Sequence, residues 1–162
     1  MKAGEEKRAG GGSICRYSHV LLQGAYGFGI GTQGRLRYED VGDGKTVRLI
    51  DPFVVQSRGW LISTPARMKF NFASIPWIFR RVLPRFGPWN PAAAPHDFLW
   101  EHALALGISR NEADLIFLDI CWRLKLRVRG PILWAGLFLG GWPKWYFYRW
   151  RESGRFLWWW VK

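Results

Sequence analysis

Hydrophobic and polar positions change period along this chain, and the changes mark its elements. From Arg35, apolar residues stand at every second position, Leu36 and Tyr38, and they resume at Val47 and Leu49 beyond Val41-Gly-Asp-Gly44. Alternation on both sides of an Asp-Gly turn predicts a β-hairpin. Phe53-Val-Val55 and Trp60-Leu-Ile-Ser63 read as further strands before Pro65, so a small antiparallel sheet is expected on the N-terminal side.

The period then becomes helical. Ser74-Ile-Pro-Trp-Ile-Phe79 opens a short helix with Pro76 near its first turn, and Pro84, Gly87 and Pro88 close it. Asn90 is placed to cap a helix begun by Pro91 and stopped at Gly107. Pro95 removes a backbone donor there, so the helix either starts at Pro95 or bends just before His96. Ser109 and Glu112 form a capping box ahead of the apolar stripe Ala113, Ile116, Phe117, Ile120, Cys121 and Leu124, which predicts the best defined helix of the chain. Arg123, Lys125, Arg127 and Arg129 give it a basic end before Gly130-Pro131. The uncharged run from Gly130 to Pro143 is shorter than the roughly 20 residues that span a bilayer, so no transmembrane span is expected.

Length and composition refine this picture. The 162 residues suit one α+β domain over 35–150. A charged, Gly-rich tail over 1–13, a Gly/aromatic segment over 14–34 and a Trp-rich basic tail over 151–162 flank it. The glycines of 14–34 lack the Lys-Ser/Thr pair of a phosphate loop. Cys15 and Cys121 have neither zinc-ligand spacing nor a disulfide pattern. Glu5-Glu-Lys-Arg8 followed by glycines is no signal peptide, so export by that route is not expected and a reducing interior, or a virion made there, fits, with the aromatic end allowing a position peripheral to the inner membrane. A formal charge of +12 favours anionic partners.

Chemistry concentrates at His96-Asp97. On a helix, His96 shares a face with Leu99, Trp100 and Ala103, and Asp97 shares one with Glu101. Asp114 lies on the apolar stripe of the next helix and needs a cation or a donor, because an unpartnered buried carboxylate costs several kcal/mol. A short loop at Gly107-Ile108 packs the two helices antiparallel and could set Asp114 against His96. Two readings stay open: His96 as a general base oriented by Asp114, with Asp97 free for a cation, or a buried polar clamp that ties the helices together. Arg110, a cation in the first turn of its helix, is expected to seek a carboxylate such as Asp97 or Glu101. Asp119 is expected to face solvent. His102 falls on a different face from His96, and neither it nor His19 has a comparable case.

Three ordered blocks carry a resemblance. Phe72-Ala-Ser-Ile-Pro76, Pro91-Ala-Ala-x-x-His96-Asp97-x-Leu99-Trp100 and Ser109-Arg110-x-x-Ala113-Asp114-x-x-Phe117 resemble a phage and prophage family known as domain of unknown function 1353. The resemblance covers about residues 35–150, with Phe70-Asn71 where that family usually has Thr-Asp and Trp100 where it usually has Tyr. It implies a phage or mobile-element origin and no particular activity. His-Asp-x-x-aromatic followed by Ala-Asp-x-x-Phe is also similar to the helical core of secreted and parvoviral phospholipases A2. That likeness implies His96 as base, Asp97 as calcium ligand, Asp114 as orienting acid and Trp100 in place of a tyrosine, with further carbonyl ligands from Phe86-Gly-Pro-Trp-Asn90. The residues themselves call for no cofactor; calcium enters only through this likeness.

The C-terminal segment sets Trp142, Trp145, Tyr146, Phe147, Tyr148 and Trp150 among Lys144, Arg149 and Arg151, ahead of Trp158, Trp159 and Trp160. Such a segment suits contact with protein or with an anionic membrane surface, with nucleic acid ranked behind. Trp100, Arg110, Trp142, Lys144, Trp145 and Arg149 are the candidate binding residues. The expected role is a small basic accessory protein of phage origin, associated with other virion proteins or the tail and acting at the particle or the cell envelope. The alternative is a calcium-dependent lipid or ester hydrolase.

Overall fold

The structure, a computed structural model, describes residues 6–16, 32–33, 36–42, 46–70 and 87–153. Strands precede helices, the α+β order that the change of period predicts. β1 (Lys7–Ala9), β2 (Gly12–Arg16), β3 (Thr32–Gln33), β6 (Phe53–Ser57) and β7 (Trp60–Thr64) form a sheet in the order β1-β2-β7-β6-β3. β4 (Tyr38–Asp40), β5 (Val47–Leu49) and β8 (Lys69–Phe70) form a second sheet, and every pairing in both is antiparallel.

The expected hairpin pairs Tyr38 with Leu49 and Asp40 with Val47, although Asp43 and Gly44 of its turn lie outside the described residues. A second hairpin joins β6 to β7 through Arg58 and Gly59, at φ 49° and 79°. Two successive left-handed residues make the tight turn whose twist matches the flanking strands. Along this hairpin Phe53, Val55, Ser57, Trp60, Ile62 and Thr64 are buried, while the residues between them are partly exposed. That alternation covers one face of the sheet with helices, and α1 (Asn90–Glu101), α2 (Ala103–Leu106) and α3 (Arg110–Arg123) lie against β7, β1 and β6.

Composition predicts a tail over 1–13, but Lys7–Ala9 and Gly12–Arg16 are strands. The anchor is Ile14, fully buried and opposite Ile62, and a single such side chain adds roughly 1.5–3 kcal/mol of burial. Most of 14–34, the short helix expected at Ser74–Phe79 and residues 154–162 lie outside the described residues.

The helices are α1 (Asn90–Glu101), α2 (Ala103–Leu106), α3 (Arg110–Arg123), α4 (Arg129–Gly140) and α5 (Trp142–Glu152). Asn90 does not cap α1: it occupies the first turn after Trp89, and its Oδ1 accepts from Gly87 N at 3.1 Å. Nor does the helix start at Pro95, which α1 includes. The predicted single helix to Gly107 breaks at His102, and Gly107, left-handed at φ 62°, ends α2 as expected. Ser109 Oγ caps α3 by accepting from Glu112 N at 3.2 Å. The other arm of the box is drawn into tertiary structure, with Glu112 Oε1 accepting from Trp60 Nε1 at 2.7 Å. The aromatic-basic segment is helical, and the domain boundary expected at residue 150 falls inside α5. No helix among the described residues is long and apolar enough to cross a membrane.

Candidate functional site

α1 and α3 pack side by side, and their facing residues follow from helical spacing. His96 and Trp100, four apart on α1, meet Arg110, Asp114 and Phe117 on α3. Asp114, with 0% of its surface exposed, is the hub. Its Oδ1 accepts from Trp100 Nε1 at 3.0 Å and lies 2.8 Å from His96 Nε2. An ionised carboxylate only accepts, so Nε2 bears the imidazole proton and donates it. The His96 ring is closed in by Trp100 at 4.7 Å and Phe117 at 5.3 Å between centroids, and 3% of the residue remains exposed.

Arg110 provides the charge that a buried Asp114 requires. Its Nε lies 3.6 Å from Asp114 Oδ2, an ion pair without a hydrogen bond. Its Nη2 donates to Leu137 O at 2.8 Å and Phe138 O at 2.7 Å, carbonyls of the last turn of α4 where the helix dipole favours a cation. Its guanidinium also sits 4.4 Å from the Trp142 ring centroid. The expected partners Asp97 and Glu101 are not the ones used, because the (i, i+4) spacing from Asp114 places Arg110 on the inner side of α3.

Asp97 and Glu101 share a face, as their spacing predicts, and α5 takes both. Lys144 Nζ lies 3.6 Å from Asp97 Oδ1, and Arg151 donates to Glu101. Burial alone would depress the Lys144 ammonium, but Asp97 and Tyr148 outweigh it and hold its pKa above the ordinary lysine value. Arg149 donates to the Trp100 carbonyl and pairs with Glu152 at 2.8 Å; burial lowers its pKa, against the opposing pull of Glu152. Glu152 accepts from Leu104 N at 3.1 Å and Ala105 N at 2.9 Å, at the start of α2. Trp145 packs edge-on to Trp100 at 5.6 Å.

Of the candidate binding residues, Trp100 and Arg110 are buried, Lys144, Trp145 and Arg149 are turned toward the domain, and Trp142 is exposed. Glu101, which the sequence offers as a partner for Arg110, joins Arg151 and Glu152 as residues of this contact that the sequence does not assign to it. The signal for the first two lay in Asp97 and Glu101 at (i, i+4) facing Lys144, Tyr148 and Arg151 at (i, i+4, i+7). Asp119 is only partly exposed: it accepts from Ser57 Oγ at 2.7 Å and pairs with Arg123 at 2.9 Å. His102 is half-buried beside Phe98, and His19 lies outside the described residues. Cys121 is buried, which pushes its thiol up to about 12 and makes it a poor nucleophile.

Calcium takes six or more oxygen ligands. Among the described residues no three His, Cys, Asp or Glu side chains converge, and Asp97, the ligand that the likeness implies, lies against the Lys144 ammonium.

A family model described as "Protein of unknown function (DUF1353)" matches residues 47–136, from β5 into α4 and including His96, Asp97, Trp100, Arg110 and Asp114. No curated protein and no solved structure matches the chain.

Proposed function

The chain belongs to the DUF1353 family of proteins of unknown function, and on that premise we propose that it is a non-catalytic accessory protein that docks through the α4–α5 surface. The phage origin implied by the sequence resemblance directs this role to a virion, its tail or the cell envelope. The observation that carries the non-catalytic reading is the burial of His96 at 3% exposure between Trp100 and Phe117. A general base must come within hydrogen-bond reach of substrate or water. In this reading His96, Trp100, Arg110 and Asp114 lock α1, α3 and the α4–α5 corner together, and the recognition chemistry lies on the outer face of α5.

One observation favours the runner-up, a phospholipase A2-like hydrolase. Asp114 takes Nε2 of His96 and leaves Nδ1 as the ring atom that could accept a proton, the division of labour such a base needs. The two readings separate on the wild-type chain and His96→Gln. Mixed phospholipid vesicles with calcium should release no fatty acid, His96→Gln should lower the unfolding midpoint, and the protein should co-sediment with particles or envelope. Calcium-dependent release that is lost in a folded His96→Gln protein would overturn the proposal.

A further inference from the structure

The helix α5 is amphipathic in the reverse of the usual sense. Its charged residues Lys144, Arg149 and Arg151 point at Asp97, the Trp100 carbonyl and Glu101, while Trp142, Tyr146, Phe147 and Trp150 are exposed. A helix on the surface of a water-soluble domain ordinarily turns its apolar stripe inward and its charges outward. Here the exposed residues of α5 besides Pro143 and Arg151 are all aromatic, with Tyr146 at 61% and Phe147 at 50% exposure, while Trp145 and Tyr148 pack inward. α4 also exposes apolar residues: Val128, just before it, Ile132 and Leu139 share one helical face, and Leu139 is 77% exposed.

We infer that this outward face of α5, with Leu139 beside it in the chain, seats in the interfacial layer of a phospholipid bilayer that carries anionic headgroups. The inference rests on the docking role proposed above and names its partner. Three observations favour lipid over a protein surface. Trp and Tyr, three of the four residues of the stripe, have an apolar body and a polar tip, the chemistry that places them at headgroup depth. Phe147 and Leu139 are fully apolar and suit the acyl boundary below. From Arg123 to Arg151 the chain contains no acidic residue, and Lys125, Arg127 and Arg129 are exposed with no ion pair among the described residues. That is charge complementarity to an anionic surface.

The division of labour is specific. Lys144, Arg149 and Arg151 are occupied by carboxylates and a carbonyl of the domain, so the attraction to headgroups falls to Lys125, Arg127 and Arg129, and the depth of insertion to the aromatic stripe. Eleven residues of helix rise about 16 Å, so α5 lies along the membrane plane and does not cross it.

The test is flotation of the full chain with vesicles of phosphatidylcholine alone and of phosphatidylcholine mixed with phosphatidylglycerol, with tryptophan emission recorded in parallel. The wild type is expected to float with the mixed vesicles, less so as salt rises, and to shift its emission to the blue. Tyr146→Ser/Phe147→Ser should weaken partitioning by more than about tenfold at unchanged circular dichroism and unfolding temperature. Arg127→Gln/Arg129→Gln should lose roughly fivefold per charge on anionic vesicles only. Trp158→Ser/Trp159→Ser/Trp160→Ser should retain most binding. Failure of the wild type to float, equal binding by the Tyr146/Phe147 variant, or loss confined to the Trp158–Trp160 variant would each overturn the inference. So would wild-type self-association in vesicle-free solution that the Tyr146/Phe147 variant abolishes, which would assign the face to a second copy. A chain that ignores vesicles yet sediments with particles sinks the lipid inference and leaves the accessory role standing.

Discussion

Gly141 and Trp100 meet so closely that a Cβ on the glycine would lie 2.4 Å from Trp100 Cη2. The contact places the single residue between α4 and α5 on the ring that also donates to Asp114 and packs against Trp145. Gly141 has φ −81°, so it is required for space and not for backbone freedom. Gly141→Ala should therefore cost about 1–3 kcal/mol through overpacking, since the Leu137 carbonyl, also 2.4 Å away, blocks a retreat. Urea unfolding measures this, and limited proteolysis should show α5 released first. A loss within the few tenths expected of a surface change would mean that the corner is not packed on Trp100.

Asp114→Asn tests the charge at the hub. The amide oxygen can still accept from His96 and Trp100, but Arg110 then has no carboxylate beside it in a site it shares with carbonyls and rings. Breaking a buried pair in this way typically costs about 3–5 kcal/mol. Combined with Arg110→Met, the loss should be clearly smaller than the sum of the two single changes, because the second removes the stranded cation. Simple additivity in urea titrations would show that the two side chains are not coupled.

Cys121 offers a test through pH. Burial raises its thiol from about 9.0 to about 12, so the folded chain holds this proton more tightly than the unfolded chain does. The contribution to stability is complete below pH 9.0, the value of an exposed thiol, and is lost as pH rises through the folded value of about 12. Unfolding midpoints should fall across that window, and fall less in Cys121→Ser. In a Cys15→Ser background, a thiol reagent at neutral pH should label Cys121 only at the rate of opening, and rapid labelling of that folded chain would contradict the burial of Cys121.

What could be read from the residues follows a physical line. Local chemistry was legible: alternation placed β4 to β7, Ser109 and Glu112 placed the start of α3, and Asp114 on an apolar stripe required the partner that His96 supplies. Properties set by distant packing were not. Pro95 stays inside α1 because the ends of that helix are fixed elsewhere, by Gly87 before it and the break at His102 after it. Glu112 was legible as a cap but not as the acceptor for Trp60, more than fifty positions away in sequence. The direction in which α5 faces was hidden for the same reason. Composition suits this segment to contact with a partner, but that its charged residues turn inward depends on Asp97, Glu101 and the Trp100 carbonyl of α1.

Arg110 separates charge from geometry most sharply, and the choice of replacement decides which is being measured. Its guanidinium performs three tasks: it stands 3.6 Å from Asp114, donates to the Leu137 and Phe138 carbonyls and stacks on Trp142. Lysine keeps the positive charge and most of the reach but has no planar fork, so Arg110→Lys should preserve neutralisation of Asp114 while losing the bond pair at the end of α4 and the flat stack. Loss of such bonds, each with a charged donor, amounts to about 1.5–3 kcal/mol. Arg110→Gln also removes the cation and leaves Asp114 with His96 as its remaining chargeable neighbour, so its cost should be larger, about 3–5 kcal/mol. The expected order of urea midpoints is wild type, then Lys, then Gln, with the near-ultraviolet signal of the tryptophans already changed in the Lys variant because Trp142 has lost its partner. If Lys matches the wild type, the α4–α5 corner does not depend on the fork. If Lys is as damaging as Gln, the carbonyls and the ring, not the carboxylate, are what hold Arg110 in place.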